Sequence, residues 1–292
     1  MIYTLGEAVY DILFKNNQPA ASVHGGSMYN VAISIGRAGK DVAFAGFYAD
    51  DFLGNQSRFF LQQNGVSTEC YRPVAKAKSN LALAFLNEQM VPEYNFYRDE
   101  RLNGHPFEIE FSTAEFLVTG SFYAIDDDNF GNVLDVVEKS RQNNVNVVYD
   151  PNIRSKHLDE HPERYERIAR MIELADLVKV SAEDLFHITG SKSHDDWKKY
   201  LNKHSAQKYI LTQGAGPVEA VFNDEHFIFQ VPEIDVVSSV GAGDGFTAGF
   251  VSYGIDAIQN RTHFELAVKR GISFAGAVCR SNENYIAAEN GN

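Results

Sequence analysis

Short β-rich runs, several of them almost wholly apolar, alternate with segments of helical periodicity along most of this 292-residue chain. The runs lie at residues 2–5, 42–47, 116–120, 145–150, 176–180 and 208–212. A strand inside a parallel sheet is buried on both faces, so its sequence is apolar throughout rather than alternating. The segments between the runs, such as 27–39, place apolar side chains on one helical face. The pattern therefore predicts an α/β fold with a doubly wound, mostly parallel sheet flanked by helices.

Two stretches depart from this alternation. Residues 12–24 contain a polar turn between short apolar pieces, and residues 80–98 alternate apolar and polar side chains around a second polar turn. Such alternation is typical of strands with one solvent-exposed face. We therefore expect a single domain over 1–292 that carries a small β-sheet lid, built from residues 12–24 and 80–104. Two unrelated surface hairpins are the alternative.

The charge balance limits the partners of this chain. Lysine and arginine number 26 against 39 aspartate and glutamate residues, which gives a formal net charge of −13. This field repels nucleic-acid phosphates and anionic membranes, so a small molecule or another protein is the expected partner. Cys70 and Cys279 are too few for a disulfide framework, and no apolar run is long enough for a membrane span. With so few cysteines a reducing cytoplasm is the expected location, and residues 1–11 show no basic and apolar leader.

A glycine-rich turn before an apolar helical segment is the clearest indication of a binding or catalytic site. In "SSVGAGDGFTAGF" (238–250), Gly241, Ala242 and Gly243 are followed directly by Asp244. The unpaired N–H groups at a helix start bind anions, and glycine lets a phosphate approach the backbone closely. A carboxylate beside such a site suits a base that takes the proton of a hydroxyl attacking phosphorus. A turn with a simple helix cap is the alternative.

Three motifs, in order along the chain, resemble the signatures of the PfkB (ribokinase-like) family of sugar kinases. They are "GGSMYNVAISIGRAG" (25–39) with "AGFYADDFLG" (45–54), "DPNIR" (150–154) and "VGAGDGFTAGF" (240–250). The resemblance covers essentially the whole chain. It implies a ribokinase-like fold and an ATP-dependent sugar kinase that uses Mg²⁺. A sugar-binding regulator without turnover is the alternative class, but a regulator has no need for both the glycine turn and Asp244.

The resemblance also implies roles for residues at the motif positions. Gly241, Ala242 and Gly243 would hold the transferred phosphate, and Asp244 would be the base. The residues implied to bind the substrate are Asp11, Gly25, Gly26, Asn30, Asn152 and Arg154. Those implied to bind the nucleotide are Ser181, Asp184, Thr212 and Gly214, with Asp184 organising Mg²⁺ through water. Ser181 and Asp184 stand where the family has the asparagine and glutamate of an Asn-x-x-Glu motif.

The identity of the sugar is less constrained. "DPNIR" and "NFYRD" (95–99) most resemble the fructokinase branch, so fructose is the expected substrate. The alternatives are ribose and the acidic sugar 2-keto-3-deoxygluconate, whose carboxylate could be bound by Arg98 or Arg101; Arg98 is thus a further substrate-binding candidate. Ser238 and Ser239 replace an aspartate that the family often uses in a monovalent-cation loop, so the resemblance does not support potassium activation. The alternating segment 80–98 also suggests that two lids pair in a homodimer.

Overall fold

The strands of the computed structural model fall into two separate sheets. The structure describes residues 1–86, 92–153, 158, 161–204 and 206–288. In chain order the strands are β1 (Ile2–Leu5), β2 (Val9–Lys15), β3 (Gln18–Gly25), β4 (Val42–Ala49), β5 (Val66–Ser67), β6 (Tyr71–Val74), β7 (Leu81–Leu86), β8 (Pro92–Tyr97), β9 (Phe116–Gly120), β10 (Asn146–Asp150), β11 (Leu177–Ser181), β12 (Lys208–Thr212), β13 (Val218–Phe222) and β14 (Glu225–Phe229). Ten of them form the main sheet, in the order β14-β13-β12-β11-β10-β9-β1-β4-β5 with β6 beside β4.

The centre of the main sheet is parallel. β1 pairs in parallel with β4 and β9, and β9, β10, β11 and β12 continue the parallel series. β13 and β14 are antiparallel and form one edge of the sheet. Each strand predicted from an apolar run is present, with ends that differ by two residues or fewer. The predicted α/β fold is therefore confirmed.

Helices cover both faces of the main sheet. They are α1 (Ser27–Arg37), α2 (Phe52–Gln63), α3 (Phe130–Gln142), α4 (Glu163–Leu174), α5 (Ala182–Thr189), α6 (His194–Lys203), α7 (Ala242–Val251), α8 (Asp256–Gln259) and α9 (Arg261–Cys279). The apolar residues of α1, α7 and α9 form one buried cluster with the sheet, and those of α3, α4, α5 and α6 form a second. None of the helices in the described part of the chain has the length and apolar character that crossing a membrane requires.

The second sheet is the predicted lid. Its strand order is β3-β2-β7-β8, in which β2 pairs antiparallel with β3 and parallel with β7. Because β2 and β7 come from the two different stretches that departed from the α/β alternation, those stretches share one sheet and are not separate hairpins. β2 follows the carboxyl end of β1, and β3 ends directly before α1. The lid therefore projects from the carboxyl edge of the main sheet.

Asp51 joins the lid to the main sheet. Its Oδ1 accepts hydrogen bonds from the Gly54 N–H (2.9 Å) at the start of α2 and from the Ser79 hydroxyl (2.6 Å) at the base of the lid. Its Oδ2 accepts from the Ser79 N–H at 2.9 Å. Burial opposes ionisation of Asp51, but these hydrogen bonds outweigh it and lower the pKa of the carboxyl. One carboxylate thus fixes both a helix start and the position of β7.

We expect Asp51→Ala to lower the free energy of unfolding by about 1–3 kcal/mol, because a helix cap and two further hydrogen bonds are lost together. Chemical denaturation measures this loss, and hydrogen exchange at Ser79 should become faster. Asp50→Ala is the matched control, because Asp50 accepts a single long hydrogen bond (3.4 Å) from Asn55. Equal destabilisation by the two substitutions would contradict the proposed anchoring role.

Candidate active site

A cavity of about 550 Å³ lies between the lid and the carboxyl edge of the main sheet. Open α/β sheets bind their ligands at this edge. Most of the residues singled out in the sequence line it, namely Asp11, Gly26, Asn30, Arg98, Asn152, Ser181, Asp184, Thr212, Gly214, Gly241, Gly243 and Asp244. Gly25 and Ala242 adjoin lining residues without lining the cavity themselves, and Arg154 lies outside the described residues. Residues from distant parts of the chain therefore meet in one place.

Asp244 lies in the first turn of α7 and is 7 % exposed. Its Oδ1 accepts a hydrogen bond from the Ser27 hydroxyl at 2.6 Å, and its Oδ2 accepts from Asn30 Nδ2 at 2.8 Å. Burial raises the pKa of Asp244 to about 6, although the two hydrogen bonds act in the opposite direction. A carboxylate with a pKa near neutrality can both accept and release a proton at working pH.

The turn before Asp244 has the geometry of an anion site. Gly241 caps α7 with φ +80°, and a Cβ at this position would overlap the backbone oxygen of Asn284. The N–H groups of Gly243 and Asp244 have no acceptor among the described residues. The amide dipoles at a helix start give it a partial positive charge of roughly half an elementary charge. The turn can therefore bind a phosphate next to the buried carboxylate.

Four of the predicted sugar-binding residues meet at the base of the lid. Gly26 caps α1 with φ +112°, and a Cβ on Gly25 would overlap the carboxylate of Asp11. Asn30 is 5 % exposed, and its amide nitrogen is committed to Asp244. Its Oδ1 has no hydrogen-bond partner among the described residues. A buried acceptor of this kind is costly unless a ligand satisfies it, so Asn30 Oδ1 suits a ligand hydroxyl.

Glu7 is a lining residue that the sequence analysis missed. Its Oε1 accepts a hydrogen bond from Arg98 Nη2 at 2.9 Å, and its Oε2 accepts from Asn80 Nδ2 at 3.1 Å. Burial raises the pKa of Glu7, while the positive charge of Arg98 opposes the rise. The Arg98 guanidinium also lies 5.2 Å from the ring centres of both Phe96 and Phe122. Arg98 is therefore a neutralised, fixed part of the cavity wall.

Ser181 and Asp184 form a capping box at the start of α5. The Asp184 N–H donates to the Ser181 hydroxyl oxygen, and Asp184 Oδ2 accepts from the Ser181 N–H and hydroxyl. Asp184 Oδ1 accepts from the Ile153 N–H at 2.7 Å, which ties the turn after β10 to α5. Both carboxylate oxygens are thus engaged within the protein. Glu183, whose side chain is 80 % exposed, presents a more accessible carboxylate at the same part of the cavity.

The remaining predicted residues lie where strands of the main sheet end. Asn152 follows β10 with φ +42°, a backbone conformation that asparagine tolerates better than most residues. Thr212 ends β12, and Gly214 continues the turn with φ +60°. These residues line the cavity at a distance from the lid along the carboxyl edge of the sheet.

A buried ion pair beneath the glycine turn was not predicted from the sequence. Lys179 Nζ on β11 lies 3.0 Å from Asp150 Oδ2 at the end of β10, and Lys179 lines the cavity. A signal was present in the sequence, because a lysine within the apolar run Leu177–Ser181 must be buried with a partner in a parallel sheet.

Known proteins that are similar to this chain are kinases. The profile described as pfkB family carbohydrate kinase matches residues 3–289. A fructokinase of Rhizobium leguminosarum bv. trifolii is 30 % identical over 271 residues, covering 86 % of this chain and 79 % of the relative. Aminoimidazole riboside kinase of Salmonella typhimurium is 26 % identical over 253 residues, which cover 86 % of this chain and 79 % of that relative. A Vibrio cholerae O395 fructokinase double mutant, crystallised with fructose, ADP and a potassium ion, shares the fold with a TM-score of 0.87 at 20 % identity, covering 97 % of this chain and 93 % of that one.

A lidded cavity that joins an anion-binding helix start to a buried carboxylate is suited to phosphoryl transfer, and the profile match agrees with that enzyme class. The chain belongs to the pfkB family of carbohydrate kinases. The predicted family and the predicted kinase class are thereby confirmed. The relatives act on more than one substrate, so family membership leaves the sugar open.

Proposed function

We propose that this carbohydrate kinase transfers the γ-phosphate of ATP to a primary hydroxyl of a ketose, with fructose as the preferred sugar. The observation that carries the proposal is Asp244, a buried carboxylate held beside the unpaired N–H groups of the α7 start. The lid side of the cavity supplies hydrogen-bonding groups from Asp11 and Asn30 for the hydroxyls of a sugar.

The proposed reaction is a direct displacement at phosphorus. Asp244 accepts the proton of the sugar hydroxyl as the sugar oxygen forms a bond to the γ-phosphorus. The bond between the γ-phosphorus and the β–γ bridging oxygen breaks, and ADP leaves with that oxygen. The N–H groups of Gly243 and Asp244 stabilise the charge on the transferring phosphoryl group. The lid excludes water, which would otherwise compete with the sugar for the phosphate.

The nucleotide is assigned to the part of the cavity away from the lid. Thr212 and Gly214 would contact it, and Ser181 and Asp184 shape the wall beside it. Oxygen ligands suit Mg²⁺, and the carboxylates at this end are Asp184 and the more accessible Glu183. When bound, Mg²⁺ neutralises phosphate charge. Both oxygens of Asp184 accept hydrogen bonds from backbone or hydroxyl donors, which supports a contribution to the metal site through water rather than by direct ligation.

A neutral sugar fits the lid end of the cavity better than an acidic one. Arg98 is paired with Glu7 at 2.9 Å, and Arg101 is paired with Asp99 at 2.6 Å. The two arginines that could bind a sugar carboxylate are therefore already neutralised. This charge arrangement favours fructose over 2-keto-3-deoxygluconate.

A riboside is the second candidate substrate. Tyr94 and Phe96 of β8 stack with ring centres 5.8 Å apart and planes 12° apart, and both line the cavity. Phe122 also lines the cavity. Aromatic faces of this kind can stack on a heterocycle. This observation is in line with the similarity to aminoimidazole riboside kinase.

A coupled assay of ADP release on a panel of acceptors tests the proposal. The panel contains fructose, ribose, 2-keto-3-deoxygluconate and aminoimidazole riboside, each with ATP and Mg²⁺. Fructose should give a kcat/KM at least about tenfold above the others, a difference of about 1.4 kcal/mol in transition-state binding. A higher value for the riboside would replace fructose by the second candidate, and no ADP release with any acceptor would overturn the proposed reaction.

We expect Asp244→Asn to cut turnover by about 10²-fold or more while sugar and ATP binding change little, because the amide cannot accept the proton. Turnover is measured by ADP release and binding by calorimetry. Asp256→Asn is a control, because Asp256 is an exposed acid in the first turn of α8. Equal turnover in Asp244→Asn and the unaltered enzyme would remove Asp244 from the mechanism.

The pKa of Asp244 also predicts a pH dependence. The base works only when ionised, so kcat/KM should fall about tenfold per pH unit as the pH drops below the pKa of about 6. Because the Ser27 hydrogen bond lowers the pKa of Asp244, Ser27→Ala should move this acidic limb to higher pH. A pH–rate profile that is flat through pH 5 would contradict the assignment.

We further propose that the enzyme is a homodimer that pairs through its lids. β3 is an edge strand of the lid sheet, and residues 18–22 on it are exposed. An exposed edge strand is a template for pairing with another chain. Light scattering should give about twice the chain mass of 32.6 kDa at micromolar concentration, and a monomer mass would count against the proposal.

A further inference from the structure

The Lys179–Asp150 pair is buried directly beneath the glycine turn of the active site. The Lys179 side chain is 6 % exposed and that of Asp150 is fully buried. Lys179 Nζ donates to both Asp150 oxygens, at 3.2 and 3.0 Å, and the Thr247 hydroxyl of α7 donates to Asp150 Oδ2 at 2.9 Å. Among the described residues, Asp150 is the one that accepts hydrogen bonds from the Lys179 ammonium group. The third N–H of this ammonium is therefore available to the cavity that Lys179 lines.

The Lys179 ammonium leaves little room for a side chain at position 243. Unlike Gly241, Gly243 has no positive φ, so its backbone would accept a side chain. A Cβ on Gly243 would, however, lie 2.9 Å from Lys179 Nζ. The second glycine of the turn is therefore explained by the approach of the lysine. This contact places Nζ next to the same N–H groups that form the anion site.

Lys179 is also the cation that an incoming phosphate needs. The carboxylates of Asp150, Asp184 and Asp244 all act on its charge. The described cationic residues that line the cavity are Lys179 and Arg98, and Arg98 is neutralised by Glu7 at the lid end. Burial alone would lower the pKa of Lys179, but the surrounding carboxylates outweigh it and raise the pKa, so the group stays charged.

A purely structural role explains this pair poorly. Burying an ammonium and a carboxylate costs several kcal/mol per ion, and apolar residues of similar volume often stabilise a fold as well or better. The pair lies between two central strands of a sheet that is otherwise apolar at this position. A functional charge at the cavity accounts for its presence.

We propose that Lys179 is a further catalytic residue, whose third N–H donates to an oxygen of the transferring phosphoryl group beside the N–H groups of Gly243 and Asp244. Asp150 and Thr247 are positioning residues that hold the ammonium in place. The inference rests on the proposed phosphoryl transfer. The Lys179 ammonium would place a fixed positive charge where negative charge develops on the transferring phosphoryl group. A positive charge at that point stabilises the transition state and so accelerates the reaction.

Lys179→Met removes the charge at similar length, but it leaves Asp150 buried without its partner. The double variant Lys179→Met/Asp150→Asn also removes that uncompensated carboxylate and so separates folding from catalysis. Lys208→Met is the matched control, because Lys208 begins the neighbouring strand β12 at the edge opposite the cavity. Each variant is assayed for turnover and for calorimetric binding of ADP and of ADP with aluminium fluoride, a mimic of the transferring phosphoryl group.

We expect both Lys179 variants to lose about 10²-fold in kcat while the KM for sugar changes less than about threefold. Affinity for ADP with aluminium fluoride should fall at least tenfold, and affinity for ADP alone should stay within about threefold. A double variant that retains more than a tenth of the wild-type kcat, or binds the mimic normally, overturns the role of Lys179. Failure of the proposed function is a separate result, because the wild-type enzyme would then phosphorylate no sugar of the panel.

Discussion

The contact between the start of α7 and helix α1 is the interaction on which the site depends. Ser27 and Asn30 of α1 donate to the two oxygens of Asp244, which lies in the first turn of α7. The two helices belong to the same buried cluster on one face of the main sheet, so neither can shift without disturbing that packing. The contact fixes the direction of the carboxylate, and the same burial raises its pKa towards neutrality.

The site has to bind anionic phosphates within an acidic protein. The chain carries a formal net charge of −13, and Asp150, Asp184 and Asp244 lie around the glycine turn. Groups within the site must therefore attract the phosphate strongly enough to overcome repulsion by the net negative charge of the protein. The partial positive charge of the α7 start acts over only a short distance, and Lys179 supplies a full charge at the same point. At the lid end the only described cation lining the cavity, Arg98, is cancelled by Glu7, which leaves a surface suited to neutral hydroxyls.

Much of the fold and part of the site could be predicted from sequence because local patterns carried them. The apolar runs located the central strands to within two residues, since a strand covered on both faces is mostly apolar. The glycine turn indicated the candidate anion site, since the unpaired N–H groups of a helix start are a local feature. Glu7 and Lys179 were missed because their importance depends on partners distant in sequence, Arg98 in one case and Asp150 in the other. Ser181 and Asp184 line the cavity, but their mutual capping box required coordinates.

The sequence by itself determined the class of fold, the glycine turn with its adjoining acid, and the family signatures, because each depends on residues close together in the chain. Only the tertiary structure decided which charges are paired. It showed that Arg98 and Arg101 are neutralised, that Asn30 holds the carboxylate of Asp244, and that a lysine reaches Gly243. The physical reason is that the energy of a charge depends on its burial and on its nearest opposite charge. Both are set by contacts between elements that lie far apart in the sequence.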